Sequence, residues 1–464
     1  MKKLILPIAI LSLLLTACGG GPKDDQGGQQ GQGQGGQQGQ GQKGGQQGQG
    51  QNSAGGVTEG FLCEKEGDRG QGEDGNELLC QVMGDGKLVW RPEGGEKPMG
   101  GGTISQIFSG GQCDADSKVN KYTTGIGDVS KMSHIYPMGG MLGTHITPID
   151  HIYVFYPENS QTPVADGSYL VTSPADGKIV GLEDFQKTNN YPYPDHRVII
   201  EHSCDLYSVF IHIGKLGEGI AMGAAVKAGQ TVADDSVSPG YDFSTFDQNV
   251  KLVFANPDSY SQAESWKSYT ANPFDYFPAA EKSKLESISL KTSAPFDGKI
   301  DWDQEGTAQG NWFEKDSNGY RGKGDQTASY DNHGKVARGY WDTHLAIAPD
   351  AVDNKSFIYS IGDWEGCPCQ FMSVGNVDPK TLTSSASTPA VISLVEFEIK
   401  NSDGSAHNPN KPKKGYTLSG SNKVVGLLAV QVNADGTIKV EKIPGKTDAK
   451  SFTGFSENAR TYVR

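Results

Sequence analysis

The chain has 464 residues, 63 of them glycine, and its 41 Lys and Arg stand against 55 Asp and Glu for a formal net charge of −14. No Lys/Arg cluster occurs after the first residues, so nucleic acid, which needs concentrated positive charge, is excluded as an expected partner. Once the low-complexity start is set aside, about 400 residues remain, more than one core usually serves, and two substantial units plus a small module are expected.

Residues 1–17 read as an export signal: Lys2 and Lys3 open it, an apolar run from Leu4 to Leu15 follows, and small residues lead to Cys18. Leu15-Thr16-Ala17-Cys18 resembles the lipobox of bacterial lipoproteins. The resemblance implies cleavage before Cys18, lipidation of that cysteine, and attachment to a membrane through it. Gly19 in place of a retaining aspartate favours the outer membrane, on its periplasmic or outer-surface side. Residues 18–56, rich in Gly and Gln, hold almost no apolar residue and cannot offset the entropy of ordering. They read as a disordered tether with a root-mean-square reach of roughly 35 Å.

Residues 57–95 read as a small β module with an Asp85-Gly86 turn, too small for a core of its own and stapled by a Cys63–Cys80 disulfide. Cys113, Cys204, Cys367 and Cys369 are left for an oxidising compartment, with their pairing open.

From residue 120 to 285 strand signals dominate: "HIYVFY", "SYLVTS", "GKIVGL", "RVIIEH", "YSVFIHI" and "AVKAGQTVA", each short, β-branched or aromatic, and bounded by turn residues. "SQAESWKSY" through "PAAEKSKLE" is the one helical finish. Residues 288–464 again read as strands, "GKIDWDQ", "NWFEK", "FIYSIGDW" and "AVISLVEFEI", then a hairpin turning at Asp435-Gly436. "GNWF" resembles the opening of lipocalin-type barrels, over three letters only. The expected class is mainly β, with a second all-β barrel or sandwich of unknown ligand after the first domain.

Six of the nine histidines, His134, His145, His151, His196, His202 and His212, fall within one stretch of about 80 residues. Imidazole and carboxylate suit zinc, and a catalytic zinc takes three protein ligands with an open fourth position for water. The surrounding residues carry a resemblance. "VIIEHSCDLYSVFIHIGKL", with His202 and His212 ten apart, resembles the central strand pair of lysostaphin-type zinc metallopeptidases, the peptidoglycan endopeptidases. "SPADGKIVGLE", "AAVKAGQTVA" and "HITPID" resemble flanking elements, so the likeness covers about 140–255.

It implies a lysostaphin-like sheet or barrel-sandwich hybrid, with His145 and Asp150 as zinc ligands and His212 as the catalytic histidine. Two departures stand against activity. One residue too many separates His145 from Asp150, which reverses facing on an extended strand; a turn at Pro148, or His151 in place of the aspartate, would restore the ligand. The closing His-x-His pair is absent, and Asp247 and Asn249 stand at its spacing in "FSTFDQNVKLVF". The expected function is therefore an envelope lipoprotein with a degenerate peptidase domain that binds peptidoglycan or an envelope protein. The alternative is a zinc-dependent peptidoglycan endopeptidase with a rearranged site, and a lipoyl-type or adaptor hybrid ranks last.

Overall fold

The computed structural model describes residues 103–464 except 158–163, 187–192, 237, 239, 262, 324–328, 331–335 and 409–410, together with 65, 67–71, 77–82 and 88–92. The expected signal, Cys18, the tether and Cys63 lie outside the described residues. The fold is mainly β. In the small N-terminal module, strands Arg69–Gln71, Glu77–Val82 and Leu88–Pro92 form one antiparallel sheet.

The first large sheet has eight strands. Its spatial order is Ala225–Val226, Gly177–Asp184, His196–Ser203, Leu206–Ile213, Gly240–Asp247, Ile152–Phe155 and His134–Tyr136, with Thr270–Ala271 paired to Gly240–Asp247. Side chains alternate between its faces. Val198, Ile200, Phe210 and Phe243 enter one core with Ile135, Ile152 and Ile179. Ile199, Tyr207, Val209 and Phe246 enter another, covered by Ile104, Ile107 and Phe108. Burial on both faces explains why "VII" and "SVFI" read as continuous apolar runs instead of alternating ones.

The cover is the helix Ile104–Ser109, which the sequence reading missed. It is only six residues long, but Thr103 and Gln106 form a capping box at its start and Gly110, with φ of 61°, ends it in the left-handed region. The expected helical finish is present as Ala279–Ile288, whereas "SWKSY" is a 3-10 turn, Ser265–Tyr269.

Cys113 and Cys204 are bonded, tying the segment after the first helix to the turn between the two central strands. The crosslink spans 91 residues, a loop whose closure is worth about 4 kcal/mol. Replacing both cysteines by serine is expected to lower the denaturant-extrapolated unfolding free energy by that amount, and a loss below about 1 kcal/mol would contradict it.

The second sheet closes into an eight-stranded antiparallel barrel, formed by Gly310–Glu314, His344–Pro349, Phe357–Trp364, Cys367–Ser373, Ala390–Lys400, Thr417–Val432, Ile438–Pro444 and Arg460–Val463. The last strand pairs with the first, so Phe313 faces Val463. Trp312, Tyr359, Phe371, Leu394 and Leu428 belong to one packed core. "GKIDWDQ" forms no strand; it makes a single bridge from Gly298 to Met138. Asp435-Gly436 does turn the final long hairpin, with Gly436 at φ of 82°.

The barrel packs on the first sheet next to its histidines. Phe313 and Tyr320 join the sheet's core, and Gln370 clamps Gly143 from both sides, accepting from its N–H at 3.1 Å and donating to its carbonyl at 3.0 Å.

Candidate functional site

Residues 139–150 form a loop, not a strand. Leu142 and His145 exchange two backbone hydrogen bonds across Gly143-Thr144, and Gly139 and Gly140 bond to Ile149. Strand alternation therefore does not govern this segment, and the extra residue between His145 and Asp150 is absorbed with Ile146 and Ile149 both buried. His145 lies within electrostatic reach of Asp150, His151, His212 and Lys267. Its ring centroid is 6.1 Å from that of His151.

His212 sits at the end of Leu206–Ile213 with φ of 64°, an uncommon conformation for a residue with a side chain and one that concentrates at functional sites. Its Nδ1 lies 3.1 Å from Asp195 Oδ2, and its Nε2 lies 3.9 Å from Asp242 Oδ2. His151 links that carboxylate to the next: Nε2 is 3.4 Å from Asp242 Oδ2 without hydrogen-bond alignment, and Nδ1 is 3.0 Å from Asp150 Oδ1. The other oxygen of Asp150 accepts from Trp266 Nε1 at 3.1 Å and meets Lys267 Nζ at 3.3 Å. Lys267 also pairs with Glu264 at 3.0 Å and lies 5.2 Å from the Tyr320 ring centroid.

The electrostatics follow from burial and this chain of charges. Burial pushes the His145 imidazole down to about 3, with His151 and Lys267 adding to the shift. Burial alone would raise Asp150, but Lys267 and His151 hold its carboxyl well below the usual range. Burial would likewise lower Lys267, yet Asp150 and Glu264 keep it above its ordinary value. For His212, the Asp195 hydrogen bond and the Asp242 charge outweigh desolvation and raise the imidazolium's pKa. Asp242 is raised by burial, against the pull of His151 and His212.

The structure thus brings His145, Asp150 and His212 to one place. Asp247 and Asn249 do not join them: Asp247 ends its strand and accepts from the Tyr276 hydroxyl, and Asn249 turns back onto Asp247. Strand pairing sets Asp242 opposite Ile211, beside His212, so Asp242 is the strand's contribution. His202 is buried between the Asp176 carbonyl and Ser208. His134 is buried and stacked on Phe155, and His344 is held by the Tyr320 carbonyl.

Asp195, Asp242 and Lys267 were missed by the sequence reading. One signal was available: an aspartate inside the buried run "GYDFSTF" is costly unless paired.

A zinc ion needs three donors at about 2.0–2.2 Å from one point. Among the described residues no three His, Cys, Asp or Glu side chains converge in that way. Both oxygens of Asp150 are engaged, and one of them faces the Lys267 ammonium, which would repel a dication. The residues present do not fit a zinc centre.

No family model matches the chain, and no curated protein matches it significantly. Among solved structures it is similar to Csd3 of Helicobacter pylori at 14% identity and a TM-score of 0.23, over 47% of this chain and 48% of that one. The matched part thus spans about half the length of the Csd3 chain. It is also similar to lysostaphin in solution, at 14% identity and a TM-score of 0.23, over 74% of this chain and 91% of that one. For the antimicrobial peptidase lysostaphin from Staphylococcus simulans the values are 12% and 0.19, over 75% and 98%. At such TM-scores these overlaps bear no weight on what the chain does.

Proposed function

We propose that the chain is an envelope lipoprotein, anchored through lipidated Cys18 at the outer membrane, whose 120–285 region is a degenerate lysostaphin-type peptidase domain that binds cell-wall peptide without cutting it. One observation carries this reading: the Asp150 carboxylate, expected as a metal ligand, is consumed by His151, Trp266 and Lys267. The export signal, the Gly/Gln tether and the strand motifs around His202 and His212 supply the envelope part.

The second reading, a zinc-dependent peptidoglycan endopeptidase with a rearranged site, is favoured by the His212–Asp195 pair. That aspartate holds the ring through Nδ1, which leaves Nε2 as the nitrogen that would take a proton.

The two separate in one experiment. Full-length protein is mixed with purified peptidoglycan sacculi, with and without added zinc, and followed by pelleting and turbidity. Pelleting with the sacculi and no clearing in either condition is expected. Clearing that disappears in His212→Ala would establish the peptidase instead, and failure to pellet would remove the wall as the ligand.

A further inference from the structure

On the reading that the 120–285 region binds cell-wall peptide, we propose that the C-terminal barrel completes that binding site: Tyr340 touches the peptide, and Gln370 positions the loop that presents His145. The site lies on the seam between the two units. The barrel's interior is filled by its own side chains, so the barrel works through its outer wall.

The loop that leads to His145 is seated against this wall. Cys369 and Phe371 enter the barrel core, so strand alternation turns Gln370 and Met372 outward. Met141 packs there against Ala346, Ala348 and Met372. Two residues on, Gln370 holds both the N–H and the carbonyl of Gly143, and its Nε2 also reaches Ser360 Oγ at 3.3 Å. Gly143 stands at φ of 55°, in the left-handed region. The turn that brings His145 beside His151 is thus fixed by a glycine at its tip and by a barrel side chain outside it.

The accessible groups come from both units. His145, Tyr153 and His212 are partly exposed on the sheet side, and Tyr340 and Gln370 on the barrel side. Tyr153 faces Asp242 across paired strands, and its ring centroid is 4.8 Å from that of His151. Tyr340 opens the 3-10 turn Tyr340–Thr343, just before the second barrel strand. Its ring centroid is 5.4 Å from that of Tyr320, which covers the Lys267 ammonium, and it lies within electrostatic reach of Glu264, Lys267, Asp150 and Tyr153. The run of charges from Asp150 to Glu264 therefore has a tyrosine from each unit beside it.

His145 gives this seam its polar contact. Among the described residues its ring makes no hydrogen bond, and burial keeps the imidazole neutral. A neutral imidazole offers one donor and one acceptor, which is what a peptide main chain takes. Tyrosine adds a rigid apolar face with little conformational entropy to lose.

The test uses full-length protein and purified peptidoglycan sacculi, with affinity read by pelleting and the fold by melting temperature. Tyr340→Ala is expected to weaken binding at least about tenfold, and Tyr340→Phe, which keeps the ring, much less. Gln370→Met, which keeps the side chain's volume and removes both hydrogen bonds to Gly143, should weaken it comparably at an unchanged melting temperature. Should these variants fail to fold, hydrogen exchange on wild type with muramidase-solubilised sacculi decides, and slowed exchange at both 143–145 and 340–343 is expected. Folded variants that pellet like wild type, or protection confined to the sheet, would overturn the proposal. Wild type that does not pellet at all would instead overturn the functional reading on which it rests.

Discussion

Lys267→Ala is expected to lower the unfolding free energy by about 3–5 kcal/mol, because it leaves the buried Asp150 carboxylate without the ammonium it shares with Glu264. Lys267→Met combined with Asp150→Asn should recover most of that loss, since the double variant removes both buried charges together. The pH dependence has a definite sign. Asp150 is depressed in the folded protein, so its contribution is present above the ordinary carboxylate value and is lost as pH falls through the folded value. Lys267 is raised, so its contribution is present below the ordinary lysine value and is lost as pH rises through the folded one. The difference in stability between wild type and Lys267→Ala should therefore be flat from roughly pH 5 to pH 9 and shrink at both extremes. Urea titrations across that range measure it, and a difference below about 1 kcal/mol at neutral pH would show that the ion pair is not what holds this region.

Trp312→Ala is expected to cost about 3–5 kcal/mol through the cavity it opens in the barrel. Its ring is wholly buried, its Nε1 donates to the Ala308 carbonyl at 2.9 Å, and the Arg464 guanidinium carbon lies 4.2 Å from the ring centroid. Arg464 in turn donates to the carbonyls of Gln309 and Gln304, so it ties the end of the last barrel strand to the loop before the first. Trp312→Phe retains most of the volume but loses the hydrogen bond and should cost less than half as much. Equal losses in the two variants would place the effect in the hydrogen bond, not in packing.

The strands were legible because their residues are β-branched or aromatic and their ends carry turn residues. "RVIIEH" and "YSVFIHI" became His196–Ser203 and Leu206–Ile213. The helix Ile104–Ser109 was not legible, since six residues give too little periodicity and its stability comes from Phe108 packing on Tyr207 and Phe246. "GKIDWDQ" had the composition of a strand but no neighbour to pair with beyond one bridge to Met138.

At the site, His145, Asp150 and His212 were named from the resemblance to lysostaphin-type peptidases. Asp242 and Lys267 were not, because each is defined by what it meets across the fold. Asp242 meets His212 only through strand pairing, and Lys267 meets Asp150 across 117 residues of sequence by a turn that no periodicity announces. The fault in reading Asp247 and Asn249 as the closing pair has the same origin: the strand ends at Asp247, so both lie at the end away from His212.

The measurement that bears most directly on the whole account is the zinc content of the full-length protein, purified without chelator and analysed element by element. Less than about 0.1 zinc per chain, unchanged in His145→Ala, is the result expected of a site that already holds its own cation. Near-stoichiometric zinc in wild type, lost in His145→Ala, would contradict the account and make the chain a metallopeptidase candidate.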